Sequence, residues 1–361
     1  MKQGRTLTEL AMELDRQSRA KKDYLVGTTD MVMDADQSGA RLTLSSSGTA
    51  TKILLGINSI AHDQIGQAVG IPAKYYDRMS RENPELLAQN VNSWFRKEPK
   101  TRMVRTMDGT ARAFLSDKYR RIDNYEIAST VLPVIADMGS DVRVESCEIT
   151  DRRMYIKVVN PRITAEVTPG DIVQSGIIIS NSEVGLGSMA IQPLVYRLVC
   201  TNGMVVNDAA TRKYHIGRGN EAAEDFSLYT SETMKLSDMA LMAKIRDTVK
   251  AVAEQSRFDR VVEMMKTAKE AKITGLVKPL VELGSSDFGY TKNEGENILD
   301  HLIRGGDLSL YGFANAVTRA AQDVDSYDRS TEMESIGYTI LGMSGEAWRR
   351  LNNASADGKV A

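Results

Sequence analysis

The residues best suited to chemistry lie in a basic stretch from Trp94 to Arg121. Nine cations fall there (Arg96, Lys97, Lys100, Arg102, Arg105, Arg112, Lys118, Arg120 and Arg121) against three carboxylates, Glu98, Asp108 and Asp117. Trp94, Phe95, Phe114 and Tyr119 are interleaved among them. Cations can follow a phosphate backbone while rings stack on bases, so this composition suits a groove for single-stranded nucleic acid. It equally suits a solvated strand face whose aromatics enter the core. On the first reading the contacts would come from Trp94, Arg96, Lys97, Arg102, Arg105, Arg112, Lys118, Tyr119, Arg120 and Arg121.

A second candidate is the glycine-rich run Asn181-Ser-Glu-Val-Gly-Leu-Gly-Ser188. Amides around Gly185 and Gly187 could form an anion nest. The run lies between two strand-like segments, however, so it is neither a dinucleotide fingerprint nor a phosphate loop. A strand-connecting turn is the simpler reading, with Asn181 and Glu183 projecting into a groove. Asn181, Glu183, Gly185, Arg197 and Asn202 then form a candidate polar pocket, although no pairing among them defines a reaction class.

Other chemistries find little support. The three histidines, His62, His215 and His301, show no metal-ligand spacing, and no GxSxG elbow occurs. The two cysteines, Cys147 and Cys200, lie far apart in apolar, strand-like stretches, which suits buried thiols in a reducing compartment. No catalytic residue, metal or cofactor is therefore expected. The formal net charge of -2 gives no global pull toward nucleic acid or an anionic membrane, so any such attraction must be local. The opening residues lack a continuous apolar core, and no window approaches a membrane span, so a soluble, cytoplasmic protein is expected.

The elements that would position these residues follow from periodicity. At 361 residues, two or three structural units are expected. Leu7, Leu10, Ala11 and Leu14 repeat at helical spacing, giving a helix over 6–20 that Thr6 or Thr8 can cap. Residues 40–46 alternate as a strand. Residues 62–79 have helix-turn-helix spacing, with Gly66 at the helix contact, Gly70 at the turn, and Lys74 and Arg78 on the second helix. A plain helical hairpin fits the same pattern. A strand and turn are expected over 111–119 and a helix over 124–138, capped by Asp123. Strands should follow at 142–149, 154–159, 171–180 and 188–200, with Asn202-Gly203 turning into 204–206. From residue 225 the pattern is helical, over 236–252, 258–271, 294–303, 308–323 and 330–341, with a short connection at 275–284. Residues 211–224 read as a linker. The class is α+β: an N-terminal helical and mixed region (1–92), a central antiparallel sheet with an inserted helix (93–210) and a C-terminal helical bundle (225–350).

Several long words are familiar in this order: GIPAKYYDRM (70–79), ARAFLSDKYRRIDN (111–124), ISNSEVGLGS (179–188), QPLVYRLVCTNGM (192–204) and YGFANAVTRAAQDVDSYDR (311–329). They resemble a phage- and plasmid-borne family, the domain-of-unknown-function family 932. The resemblance implies a mobile-element origin and a cytoplasmic setting, and it brings no catalytic residues. It directs attention to Arg197, Cys200, Asn202 and Gly203 in one word and Asn181, Glu183 and Gly185 in another. The leading expectation is a single-strand binding or annealing protein of replication, recombination or repair, working as a homo-oligomer. The alternative is a non-catalytic module that binds a host or phage protein through its bundle; an enzyme is the third reading.

Overall fold

Thr6 starts the first helix as its spacing requires. Its hydroxyl accepts the Glu9 amide while the Glu9 carboxylate accepts the Thr6 amide, a closed capping box on α1 (Leu7–Ala20). Leu10 and Leu14 form its buried stripe. The structure, a computed structural model, describes residues 1–36, 39–45, 52–119, 121–207, 231–252 and 255–356. The linker at 211–224, with His215, and Arg120 lie outside the described residues.

The strands form two sheets where one was expected. Strands β1 (Lys21–Gly27), β2 (Met31–Asp36), β3 (Gly39–Ser45), β4 (Lys52–Ile57), β5 (Thr101–Met107) and β6 (Thr110–Ser116) make a six-stranded sheet ordered β1-β5-β6-β4-β3-β2. Every pairing is antiparallel except β4 with β6. The basic stretch thus belongs to a sheet begun by the N-terminal segment, and a boundary near residue 93 would cut through it. Three helices, α2 (Ser59–Ala68), α3 (Ala73–Glu82) and α4 (Pro84–Lys97), pack on this sheet around Leu42, Leu55, Ile65, Leu87, Phe95 and Phe114. The spacing over 62–79 does form a helix pair. Gly70 turns it at φ +72°, and a Cβ on Gly66 would stand 2.9 Å from the Tyr76 ring.

Helix α5 (Asn124–Asp137) leads into the second sheet: β7 (Arg143–Ile149), β8 (Met154–Glu166), β9 (Ile172–Asn181), β10 (Ala190–Arg197) and β11 (Asn202–Val205), ordered β11-β10-β9-β8-β7 and antiparallel throughout. Ile156, Val158, Ile177, Ile179 and Ile191 pack against α1 and α5. Strand β9 is buried on both faces, which is why it reads as a continuous apolar run. Asn202-Gly203 is not the hairpin turn. The turn is 198–201, with Thr201 at φ +50°, and Asn202 and Gly203 already pair with Arg197 and Tyr196. Gly203 is small because the Met1 side chain lies against it. Cys147 is buried in β7, whereas Cys200 sits half-buried in this turn and not in a strand.

The C-terminal half is helical as expected: α6 (Ser231–Val252), α7 (Gln255–Glu270), α8 (Val277–Phe288), α9 (Lys292–Gly305), α10 (Leu310–Ala320), α11 (Tyr327–Leu341) and α12 (Gly345–Ala356). The expected connection at 275–284 is instead most of α8. Pro279 stands in its first turn, where a missing amide costs nothing, so this proline does not break the helix. Among the described residues no helix is long and apolar enough to cross a membrane.

The close approach at Gly66 yields a stability test. Gly66→Ala gains helix propensity but drives a methyl into the Tyr76 ring, and the expected net loss is about 1–2 kcal/mol. Urea unfolding reads it; a variant as stable as the parent would mean that α2 and α3 do not touch there.

Candidate functional site

The turn joining β9 to β10 carries Glu183 into the seam between the two sheets. Glu183 is 2 % exposed. Its Oε1 accepts from Lys21 Nζ at 2.9 Å and from the Asn124 amide at 2.6 Å, and its Oε2 accepts from Arg112 Nη2 at 2.5 Å. Its backbone carbonyl accepts from Arg105 Nη1 at 2.9 Å. A buried carboxylate is tolerated only when it is paired and hydrogen-bonded, and here three elements supply donors. The glycines set the turn's path: Gly185 and Gly187 take φ of +76° and +127°. The turn reading therefore holds for this run, and the Leu186 amide is engaged by Ser182 Oγ.

Around Glu183 the charges interlock. Arg105, with no exposed surface, donates Nε to Asp23 at 2.9 Å and Nη2 to Asp123 at 2.7 Å. Arg121 reaches Asp23 at 3.0 Å, and Lys21 lies 3.4 Å from Asp123. Burial alone would push the Asp123 carboxyl up, but Arg105 and Lys21 outweigh it and hold the group below the ordinary aspartate value. Asp123 occupies the N-cap position of α5 without capping it. Its carboxylate is turned to the cations, and the first amide of the helix, Asn124, donates to Glu183. Asn181 closes the same corner, donating Nδ2 to the Ile122 carbonyl at 3.0 Å and to Asn124 Oδ1 at 2.8 Å.

Next to this cluster lies a cavity of about 440 Å³. Arg112, Glu183 and Asn124 form one wall, the β7–β8 turn with Arg152 and Arg153 another, and Arg16 on α1 with Asp108 a third. Its lining residues mix cations with carboxylates.

The expected pocket residues do not meet. Asn181 and Glu183 are at one end of the second sheet and Arg197 and Asn202 at the other. Along β9 they are separated by eight residues, about 26 Å of strand. At the far end Arg197 pairs with Asp171 through Nε and Nη2 at 2.6 and 2.9 Å, Tyr311 donates to the same carboxylate at 2.9 Å, and Asn202 donates to Thr318 at 2.5 Å. These contacts seat α10 on the sheet.

The basic stretch is likewise divided. Arg105 and Arg112 are buried in the seam and cannot reach a phosphate backbone on the surface. Phe95 and Phe114 stack at 5.8 Å inside the core. Tyr119 donates to the Ser182 carbonyl at 3.3 Å. Arg96, Lys97 and Lys118 are exposed, Trp94 and Arg102 are half-buried, and Arg121 is exposed beside Asp23. The cleft at Trp94, Lys100 and Arg102 holds only about 20 Å³, too little for a base. Periodicity missed Lys21, Asp23 and Arg153 altogether. The word around Glu183 pointed at this corner, and the basic stretch and the word at 111–124 held Arg105, Arg112, Arg121, Asp123 and Asn124 without showing that they meet it.

Residues 112–274 match the family model described as Domain of unknown function (DUF932). No curated protein and no solved structure matches the chain. The words at 179–188 and 192–204 lie inside the matched stretch; those at 70–79 and 311–329 lie outside it. The matched stretch supplies Arg112, Asn124, Arg152, Arg153 and Glu183 to the seam, whereas Lys21, Asp23 and Arg105 come from the preceding segment.

Two outcomes are expected from this cluster. Glu183→Gln leaves Lys21 and Arg112 facing a neutral group and lowers unfolding free energy by about 3–5 kcal/mol. Denaturant unfolding at neutral pH tests it, and a loss below about 1 kcal/mol, the range of an exposed pair, would show that the cluster is solvated. Because the folded Asp123 carboxyl titrates below its reference value of 3.8, its contribution is complete above that pH and is lost as pH falls through the folded value. Asp123→Asn, less stable at neutral pH, should therefore show a shallower acid loss than the parent; equal slopes would refute this assignment.

Proposed function

We propose that the chain binds single-stranded nucleic acid through the exposed basic end of its six-stranded sheet, as a phage- or plasmid-type protein of replication, recombination or repair in the cytoplasm. Strand register carries the reading. Arg102 lies opposite Ser116, so the start of β5 adjoins the end of β6 and the Lys118 that follows it. Lys100 precedes β5 directly, and the last turn of α4 adds Arg96 and Lys97. These cations outnumber the neighbouring carboxylates, Glu98 and Asp117. Trp94 supplies a half-exposed ring, with Lys97 Nζ 4.6 Å from its centroid. With a chain net charge of -2, such a local surface is the route to phosphate attraction. One sheet end is short for a strand-tracking groove, so the proposal includes a homo-oligomer that lines several ends up.

Fluorescence anisotropy with labelled single- and double-stranded oligonucleotides across a salt series tests the surface. The triple variant Lys97→Glu, Lys100→Glu, Arg102→Glu should bind single strands at least about tenfold more weakly, with the log–log salt slope reduced by about 0.7 for each phosphate that is no longer neutralised. Parent protein that fails to bind at low salt, or a folded triple variant that binds like the parent, would remove the reading.

One observation favours the alternative, a non-catalytic module for a host or phage protein. Between α8 and α9 runs a groove of about 820 Å³ lined by Val281, Leu283, Leu299 and Ile303, the last 61 % exposed. A host protein retained after nuclease treatment and released by Ile303→Glu would support that role.

A further inference from the structure

Arg112 is 8 % exposed, yet among the described residues its guanidinium has one partner, Glu183 on Nη2. Its Nε is buried with no hydrogen-bond partner among the described residues. Buried donors left unpaired cost free energy, and a guanidinium has five N–H groups to satisfy. The cavity that Arg112 lines also receives Arg152 and Arg153 from the β7–β8 turn. Neither has a carboxylate within ion-pair distance among the described residues; the one side-chain bond of this pair runs from Arg153 Nη2 to the Leu186 carbonyl. Gly187 leaves room for Arg153, since any side chain there would collide with the guanidinium. The remaining arginines of the cavity are engaged: Arg5 with Glu148 at 2.7 Å, and Arg16 with Glu13 and Asp108, both at 2.8 Å.

We infer that the cavity between the two sheets binds a phosphomonoester, its phosphoryl oxygens held by Arg112, Arg152 and Arg153. The charge pattern favours an anion: Glu183, Glu13 and Asp108 already have basic partners, and Asp151, the one lining carboxylate without an ion pair among the described residues, is outnumbered by Arg152 and Arg153. Arg112 already holds one carboxylate. A second anion must accept from it and from two arginines on another wall, which a tetrahedral dianion does from several directions and a planar carboxylate does less well. About 440 Å³ exceeds what phosphate alone fills and lies in the range of small-molecule sites, and Met107, Ile149 and Val184 give the organic part apolar contact. The site is independent of the proposed nucleic-acid surface, which lies at the opposite end of the β5–β6 hairpin, about 20 Å along the strands.

Isothermal titration calorimetry of the full chain with inorganic phosphate, AMP and adenosine tests the site. AMP should bind, phosphate more weakly, and adenosine not at all. Arg153→Gln and Arg152→Gln, at partly or fully exposed positions, should each weaken AMP by about tenfold, as removal of one charge-assisted hydrogen bond requires. Arg112→Met should weaken it further, and if that variant does not fold the other two still decide. Lys97→Glu with Lys100→Glu should leave AMP binding unchanged, which separates this site from the nucleic-acid surface. A 5′-phosphorylated oligonucleotide that displaces AMP, where its unphosphorylated twin does not, would identify the phosphoryl source as a strand end; failure to displace would identify a free phosphomonoester. No heat with AMP or phosphate at millimolar concentration, or adenosine binding as well as AMP, would overturn the inference.

Discussion

The buried carboxylate of Glu183 is the constraint on which the arrangement of the two sheets rests. It sits on a turn of the five-stranded sheet and accepts from Lys21 on β1, Arg112 on β6 and the first amide of α5. One acceptor thereby ties both sheets and the helix that links them. Apolar packing has no direction and would allow the sheets to slide; an ion cluster with fixed donor geometry does not. The hydrophobic contact beside it is small, Val184 against Ile60 and Ala113, so the polar cluster defines the docking.

The same device recurs on the far side of the second sheet. Lys157 donates to Glu334 on α11 at 2.7 Å, with 0 % and 1 % of the two side chains exposed. Asp171 takes both Arg197 and Tyr311, anchoring α10. Buried pairs of this kind add little net stability over apolar replacements, but breaking one leaves an uncompensated charge. They make the bundle's position on the sheet specific. The second sheet is thus held by ionic contacts at both ends, with its isoleucine-rich strands supplying the apolar contact between them.

This division explains why a basic stretch that is continuous in sequence is discontinuous in space. β-strand alternation and the β5–β6 pairing send Arg105 and Arg112 into the seam and leave Arg102 and Lys118 at the other end. The two sites proposed above would then lie at opposite ends of one hairpin. The inner arginines sit where low dielectric strengthens each contact, and the outer cations where salt screens it.

Local signals were legible from the residues. The spacing of Leu7, Leu10, Ala11 and Leu14 marked the first helix, Gly66 the α2–α3 contact, the run over 171–180 a strand, and amphipathic periodicity most of the C-terminal helices. Each depends on neighbours within a turn or a strand. Four early strands were not legible, because segments such as Lys21–Gly27 carry charges that become buried only through distant partners. Asn202-Gly203 misled for the same reason: its glycine serves Met1 and its asparagine serves Thr318. The sequence by itself determined the class, most of the helices and the presence of a cationic stretch, but not α4, α8 or α12. Only the tertiary structure decided which cations are buried and which are free, since Glu183 meets Lys21 and Arg112 across 162 and 71 residues of chain, and no local periodicity encodes contacts at that range.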